Sequence, residues 1–457
     1  MTEPAVAATQ PPDAATGRLE RLRAMRIWHA AAIRDFRLLW ASEGVSVVGD
    51  QFHAVALSWL VISLTGSGLA LGTVLIAISV PRALLLIPMG VVADRRSPRT
   101  LMLGSHLARA GIVAAITLLV VSGNASIPAL AALGVLFGAA DAVYMPSQQA
   151  FIPRAVPADG LPSANALLQG TYQLTGIVAP PLAGLVVAAA GTGIAFGVDA
   201  ASFVLAAGFI VLISGAAARA VSPSAGPQAV DAPGPAGEAA APAHPAEAHE
   251  PFLRALVGGM RYLAEDRAIG IMLCVSLVLN FSLNGPAAVG LPWLAQLRFH
   301  AGATGLGLLD AGWAAGGLAG TVVAGGVRLE RQGRRLLLLI GASGVAFGLV
   351  GVAGSLPVAV GLFAFGGFCI GYVNIVSLSW VQARVESSML GRVMGLVMLV
   401  GFGISPVSMA VAGALIDVNS TALFLGAGAL VVVAVVVAFL LGTVDLFDTP
   451  RPASALA

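Results

Sequence analysis

Charged residues make up only 10% of this 457-residue chain, and cysteine occurs only twice. A soluble domain has about a quarter of its residues charged, so this shortage excludes an ordinary soluble fold. Cys274 and Cys369 both fall inside predicted helices, and no disulfide is therefore expected. No segment matches the phosphate-binding pattern GxxxxGK followed by Ser or Thr, which excludes ATP-driven pumping by this chain. The net charge of +2 is too small to indicate binding to nucleic acid.

Hydrophobic residues account for 58% of the chain and form about twelve blocks of roughly 20 residues. A helix of that length crosses the hydrocarbon core and satisfies its own backbone hydrogen bonds. We therefore predict an all-α polytopic membrane protein with twelve transmembrane helices. The predicted spans are 37–63, 69–92, 101–122, 127–150, 163–190 and 194–214, and then 268–296, 304–327, 335–354, 357–381, 392–416 and 420–442.

Arginine is distributed unevenly between the two sides of these spans. The turn-like loops 65–68, 122–126 and 190–193 carry none, whereas the opposite side carries clusters such as Arg95, Arg96 and Arg99. We call these the arginine-poor and the arginine-rich faces. The positive-inside rule places the arginine-rich face and both termini in the cytoplasm, as expected of a multi-pass protein of a bacterial cytoplasmic (inner) membrane.

Composition also divides the chain into segments. Residues 216–251 are rich in Ala, Pro and Gly and predict a flexible cytoplasmic linker, and 252–267 form an amphipathic segment expected to lie on the membrane surface. The other predicted segments are a cytoplasmic tail (1–35), an N-terminal six-helix bundle (36–215), a C-terminal six-helix bundle (268–442) and a cytoplasmic tail (443–457).

The two predicted halves carry an internal repeat. GVVADRRSPR at 90–99 follows the second span, and GVRLERQGRR at 326–335 follows the eighth, with matching spacing of Gly, acid and Arg. Parallel repeats of this kind relate the two halves of some transporters. The sequence therefore indicates two pseudo-symmetric bundles.

The loop at 90–99 resembles the signature loop of the major facilitator superfamily, through Gly90, Asp94, Arg95 and Arg99. The segment 146–184 is similar to the macrolide-efflux and siderophore-export branch of bacterial drug:proton antiporters. The positions that carry this second resemblance are Pro146, Gln149, Pro153, Leu161, Ala164, Asn165, Pro180 and Gly184. The resemblance implies the major facilitator fold, transport by alternating access, no enzymatic activity and no cofactor or bound metal.

Gly90, Asp94, Arg95 and Arg99 are predicted to form a conformational latch. Asp94 is expected to sit against the N-terminus of the eleventh span, near 391–392, where free amides favour an anion. The alternative is that these arginines only set the topology.

The fifth span matches the exporter-type helix of the family. Its glycines would permit close helix approach and its prolines a kink, although generic packing is an alternative. The residues concerned are Gly176, Pro180, Pro181 and Gly184.

Charged side chains within spans are candidates for proton coupling, because charge is costly in lipid. Glu43, Asp50 and His53 fall on one stripe of the first span, and Asp50 lies about 20 Å along the helix from its start. We expect Asp50 to exchange protons with the nearby His53, and Glu43 to lie closer to the cytoplasm, where water could partly solvate it. Asp141 and Arg82 lie at a similar depth to Asp50.

A structural salt bridge from Arg82 to Asp50 or Asp141 is the alternative to proton coupling, because buried charges pair whether or not they react. Arg109 is expected nearer the cytoplasm. Asp199 and Asp310 are expected mainly to serve packing or gating.

Polar and aromatic residues of both halves are candidates for a substrate cavity, although aromatic residues in spans often serve as anchors or packing. The candidates are Trp59, Tyr144, Gln148, Gln169 and Tyr172 in the first half and Asn280, Asn284, Tyr372, Asn374 and Trp380 in the second. The predicted function is proton-coupled export of amphipathic organic molecules, such as drugs or antibiotics, by a monomer in the lipid bilayer. Export of an endogenous siderophore or lipid, a membrane sensor and a polytopic membrane enzyme remain as alternatives.

Overall fold

The computed structural model describes residues 29–214, 266–326, 333–385 and 393–444, except for 394, 395, 398, 399 and 402. Throughout these residues the ordered elements are helices, and no strand occurs among them. The predicted linker, most of the predicted surface segment 252–267, and residues 1–28 and 445–457 of the tails lie outside the described residues.

Six helices form the first half: α1 (Arg34–Thr65), α2 (Gly68–Arg95), α3 (Pro98–Val121), α4 (Ile127–Asp141), α5 (Tyr144–Ala155) and α6 (Leu161–Leu212). Local sequence sets their ends. Gly66 ends α1 in the left-handed conformation that glycine tolerates, and the side chain of Ser67 accepts a hydrogen bond from the amide of Ala70 at the start of α2. These signals explain the sharp turn between the first two spans.

Three predicted spans differ from the helices in detail. The fourth span, predicted as one helix over 127–150, is interrupted at residues 142–143 and continues as α5 to Ala155. Spans five and six are joined in α6, but Gly191 has φ 83° and ψ 168°, which is not helical. Gly191 lies in the predicted loop 190–193, so the two crossings separate where the sequence indicated.

The second half consists of α7 (Arg267–Gly285), α8 (Gly302–Gly325), α9 (Gly333–Val350), α10 (Leu356–Arg384), α11 (Ser405–Ile416) and α12 (Ser420–Leu440). After α7 the helix continues to Arg298 through two widened, π-helical turns at Pro286–Gly290 and Leu294–Arg298.

Ten helical segments within the described residues are long and apolar enough to cross a membrane. One of them, residues 158–212, has 55 residues and supplies two crossings, one before and one after Gly191. The shorter apolar helix Ser405–Ile416 supplies one more crossing. Large apolar side chains such as Leu84 and Val121 are more than 70% exposed, as suits a surface that faces lipid. The predicted all-α polytopic fold is confirmed, and its helices accommodate the predicted twelve spans.

The two halves pack closely near the arginine-poor face. Helix α6 meets α8 there: a methyl group added at Gly184 would lie 2.5 Å from the carbonyl oxygen of Ala303. Helix α2 meets α11 in the same way, since a methyl group at Gly72 would lie 3.1 Å from the carbonyl oxygen of Met409. Glycine is required at Gly184 because the opposing atom belongs to the backbone and cannot move aside as a side chain can.

A polar contact joins the halves at the same face. Asp417, directly after α11, accepts hydrogen bonds from the Ser67 hydroxyl (2.7 Å) and from the amides of Gly68 (2.8 Å) and Leu69 (3.2 Å). The positive end of the α2 dipole favours an anion at this position. Partial burial raises the pKa of Asp417, but the hydrogen bonds from these amides and the hydroxyl outweigh it and hold the pKa below its ordinary value.

Candidate functional site

The largest fully buried side chain of the described residues is Arg109, in the middle of α3. Its Nη1 atom lies 3.0 Å from Asp141 and 3.8 Å from Asp50, and its Nη2 atom lies 3.1 Å from Nδ1 of His106. The expectation that Arg109 lies nearer the cytoplasm than these acids is wrong. Arg109 stands 11 residues from Pro98 and 12 from Val121, so its position in the span already indicated mid-depth.

Aromatic rings complete the surroundings of Arg109. The guanidinium carbon lies 4.9 Å from the ring centre of Tyr144 and 4.4 Å from that of Phe203. Such contacts stabilise a cation that has lost its water. Arg109 therefore acts as a fixed positive charge inside the first half.

Asp141 is held by two arginines. Nε of Arg82 lies 3.1 Å from one of its oxygens, and Arg109 contacts the other at 3.0 Å. Of the two salt bridges considered for Arg82, the structure contains the one to Asp141. The side chain of Arg82 is 45% exposed, so Arg82 is less buried than expected and is not the sole partner of this acid.

Asp50 differs from the other acids of the first half. Its one ion-pair contact among the described residues is the long 3.8 Å approach to Arg109, and its side chain is 39% exposed. Asp141 is 16% exposed, and Asp199 is completely buried. Asp50 is therefore the acid of this group with the weakest described polar contact and the largest exposed fraction of its side chain.

Glu43 lies in a buried cluster of hydroxyl groups. It accepts hydrogen bonds from the hydroxyls of Tyr144 (α5) and Tyr172 (α6), and Gln148 donates a hydrogen bond of 3.4 Å to the Tyr172 hydroxyl. Glu43 is only 3% exposed, so the expected partial solvation is wrong. Tyr144 and Gln148, predicted to line a cavity, are each 6% exposed and use their polar atoms within this cluster.

The expectation that His53 would pair with Asp50 is wrong, because His53 pairs with Asp199. Its Nδ1 atom lies 2.9 Å from Oδ2 of Asp199, in the second crossing of α6, and its ring stacks on Phe137 at 4.6 Å. The close approach of α1 and α6 depends on Gly49, where a methyl group would lie 1.9 Å from the hydroxyl of Ser202. This approach brings α1 against the second crossing of α6, and it therefore places Asp199 beside His53.

Three adjoining cavities lie beside this charged group. The Arg82 cavity, of about 400 Å³, is lined by Arg82 and Met145 of the first half and by Asn280 and Asn284 of the second. The Asn374 cavity, of about 320 Å³, shares Asn280 and Gly401 with it.

The third cavity, the Asp310 cavity, has a volume of about 500 Å³. It shares Asn284, Ser405 and Met409 with the Arg82 cavity. The three cavities therefore adjoin Arg82 of the first half and bring it near the amides of Asn280, Asn284 and Asn374 and the acid Asp310 of the second half.

Several other predicted residues lie away from these cavities. Trp59 and Tyr372 pack in the main apolar core, Trp380 lies under the guanidinium of Arg384 at 5.2 Å, and Gln169 is exposed. Tyr172, half-buried, belongs to the Glu43 cluster. None of these five is among the residues that line the three cavities.

The predicted latch is described only in part. Arg99 donates hydrogen bonds to the carbonyls of Ile210 (3.1 Å) and Val211 (2.6 Å), so it caps the end of α6 within its own half. The carboxylate of Asp94 and its expected partner at 391–392 lie outside the described residues, and the latch therefore remains a prediction. In the predicted exporter-type helix, Pro180 and Gly184 contact α8, and Gly176 faces Ala314.

Two sequence families match this chain. The family described as "Transmembrane secretion effector" matches residues 27–228, and the family described as "Major Facilitator Superfamily" matches residues 272–456. A fold of two helical halves with cavities lined by both of them is typical of secondary transporters. The chain belongs to the major facilitator superfamily, and this membership identifies a transporter rather than an enzyme.

Three curated relatives are similar over most of their length. An uncharacterised MFS-type transporter of Sinorhizobium fredii is 27% identical, covering 86% of this chain and 91% of its own. The enterobactin exporter EntS of Citrobacter koseri is 25% identical, covering 91% and 94%. Macrolide efflux protein A of Streptococcus pyogenes is 22% identical, covering 79% and 84%.

Among solved structures, a bacterial homologue of the iron transporter ferroportin in an inward-facing state superposes with a TM-score of 0.65. It is 16% identical and covers 91% of this chain and 99% of its own. This likeness concerns the fold alone.

Proposed function

We propose that this protein is a proton-coupled exporter of small amphipathic organic molecules, working by alternating access in a bacterial cytoplasmic membrane with both termini in the cytoplasm. The observation that carries the proposal is the arrangement of acids around Arg109. Asp50 is half-buried and weakly paired, whereas Asp141 is neutralised by two arginines. An acid that can gain and lose a proton beside a fixed cation suits coupling to a proton gradient.

Asp50 is the proposed coupling residue, and Arg109 fixes its surroundings. When Asp50 is ionised, Arg109 is balanced by Asp50 and Asp141 together; when Asp50 is protonated, the Arg109 group gains one net positive charge. That change in charge beside the Arg82 cavity would alter how the two halves attract each other. Glu43 and His53 are buried and hydrogen-bonded, and we assign them to proton storage or structure rather than first uptake.

Substrate binding is assigned to the three adjoining cavities. Their joint lining is mostly apolar, with a few amide and hydroxyl groups and the charged side chains of Arg82 and Asp310, which suits an amphipathic organic molecule. The polar residues Asn280, Asn284 and Asn374 come from the second half, so the first half would couple protons and the second would hold the substrate.

Alternating access would open and close the two faces in turn. The close glycine contacts and the Asp417 contact lie at the arginine-poor face, which supports a state closed at that face. The latch of Gly90, Asp94, Arg95 and Arg99 would close the opposite face, and the linker 216–251 would allow the halves to rock. Export is favoured over import because the two named relatives of known cargo, a macrolide efflux protein and an enterobactin exporter, are both exporters.

A second candidate within transport is export of an endogenous siderophore, which the similarity to an enterobactin exporter favours. One experiment distinguishes the possibilities. Purified protein in liposomes containing a pH-sensitive dye is exposed to a panel of macrolides, other drugs and catecholate siderophores. We expect proton movement that depends on one class of these compounds. Substrate movement without any proton flux would contradict coupling, and no response to the whole panel would contradict export of these classes.

A further inference from the structure

Asp310 is the one membrane acid of the described second half that lines an interfacial cavity. It stands eight residues after Gly302, or about 12 Å along α8 from the arginine-poor end. The Asp310 cavity is lined by both halves, including Gln51 and Ser58 of α1, Asn284 of α7 and Trp313 of α8.

The charge balance at Asp310 is different from that of the acids in the first half. Glu43, Asp50, Asp141 and Asp199 each contact a hydroxyl, an arginine or a histidine. Asp310 has no ion pair or hydrogen bond to any described residue, and it is the one charged residue in the described lining of its cavity. An isolated carboxylate at this depth is unfavourable unless a proton or a cation balances it.

The surroundings of Asp310 suit an organic cation. Trp313 lies one turn away on the same helix, and its ring is held against Phe363 at 4.7 Å. An indole face attracts a cation that has lost its water, and a nearby carboxylate supplies the opposite charge. Gln51 and Ser58 offer hydrogen-bond acceptors, and a cavity of about 500 Å³ has room for a drug-sized group.

The backbones of α6 and α8 pack closely on the arginine-poor side of this cavity. A methyl group at Gly307, one turn from Asp310, would lie 2.4 Å from the carbonyl oxygen of Pro180. The contact between α6 and α8 therefore leaves no gap at this point on the arginine-poor side. The neighbouring Arg82 cavity adjoins through Asn284, and there the charge of Arg82 is balanced by Asp141.

From these observations we infer that the Asp310 cavity is a binding subsite for the positively charged amine or onium group of an amphipathic substrate. Asp310 supplies the counter-charge, and Trp313 supplies the aromatic wall. The inference rests on the proposed export function for its biological meaning, but binding at equilibrium tests it without any gradient.

The probe is tetraphenylphosphonium, a permanent organic cation, measured by equilibrium binding to the purified full-length protein in detergent. We expect saturable binding to the wild-type protein. Asp310→Asn should weaken binding by about tenfold or more, because a charge interaction in a cavity of low dielectric is lost. Asp310→Glu should retain most of the affinity, and the uncharged triphenylphosphine oxide should not compete.

The control variant is Asp159→Asn, which removes one negative charge from an exposed turn between α5 and α6. Its affinity should equal that of the wild-type protein. Monodispersity and the unfolding temperature of each variant establish that it is folded. Competition by triphenylphosphine oxide tests whether the wild-type protein requires a positive charge on its ligand, and this test needs no variant.

The absence of saturable binding to wild-type protein, unchanged affinity in Asp310→Asn, or effective competition by triphenylphosphine oxide would each overturn the subsite. Cation binding that depends on Asp310 in a protein without substrate-driven proton flux would leave the subsite standing and remove the exporter proposal. Proton flux driven by neutral substrates, in a protein that does not bind the cation, would leave the exporter proposal standing and remove the subsite.

Discussion

Replacing Asp417 should open the arginine-poor face. The carboxylate joins the second half to the first turn of α2 through three hydrogen bonds of 2.7–3.2 Å. Hydrogen bonds to a charged group contribute about 1.5–3 kcal/mol each when buried, but Asp417 is exposed, so water competes for it. We therefore expect Asp417→Asn to destabilise the closed face by about 1 kcal/mol, which corresponds to about a fivefold change in the ratio of closed to open molecules.

The measurement uses two spin labels on the arginine-poor face, at Asn124 in the first half and Val352 in the second, both exposed. The native Cys274 and Cys369 are first replaced, because Cys274 is accessible to the labelling reagent. Pulsed electron-spin distances should show a larger population at long separation in Asp417→Asn. The matched control is Val418→Thr, next along the chain and 82% exposed, which should match the wild type.

The same contact predicts a dependence on pH. The pKa of Asp417 lies below its ordinary value when the face is closed, so ionisation favours closure. This stabilisation is fully present above the ordinary pKa of about 4 and is lost as the pH falls through the lowered value in the closed state. Wild-type protein should therefore open below about pH 4, and Asp417→Asn should not respond over that range. Equal distance distributions in the two proteins at neutral pH would refute the reasoning.

Three further substitutions follow from the packing and the charges. Gly184→Ala would place a methyl group 2.5 Å from a backbone carbonyl of α8, so we expect it to destabilise the closed state by about 1–3 kcal/mol. The same spin labels measure this effect, and a distance distribution like that of the wild-type protein would contradict it. Arg109→Ala should destabilise the protein by about 3–5 kcal/mol because it removes the fully buried cation that Asp50 and Asp141 share and leaves Asp50 without a described ion pair, whereas Arg82→Ala should cost much less because Asp141 keeps Arg109. Unfolding temperatures in detergent compare the two variants, and equal losses would show that Arg109 is not the central cation.

Hydropathy and loop composition were sufficient to predict the spans. Most predicted boundaries fall within about four residues of the helices, because apolar length decides where a helix can cross a bilayer. The interruption of the fourth span at residues 142–143 was not predicted, since no glycine or proline occupies those two positions.

Side-chain partners were harder to predict than spans. The sequence placed His53 one turn from Asp50, but the close approach of α6 to α1 at Gly49 brings Asp199 within 2.9 Å of His53. Spacing along one helix cannot indicate which neighbouring helix a residue faces. Glu43 likewise is buried because tyrosines from α5 and α6 converge on it, and this convergence depends on tertiary packing.

The most direct test of proton-coupled export compares two activities of Asp50→Asn in liposomes. One is uphill movement of a substrate driven by an imposed pH gradient, and the other is exchange of labelled for unlabelled substrate without a gradient. Because Asp50 is the half-buried, weakly paired acid beside Arg109, we predict that the variant loses uphill movement and keeps exchange. Uphill transport at the wild-type rate by folded Asp50→Asn protein would contradict the account.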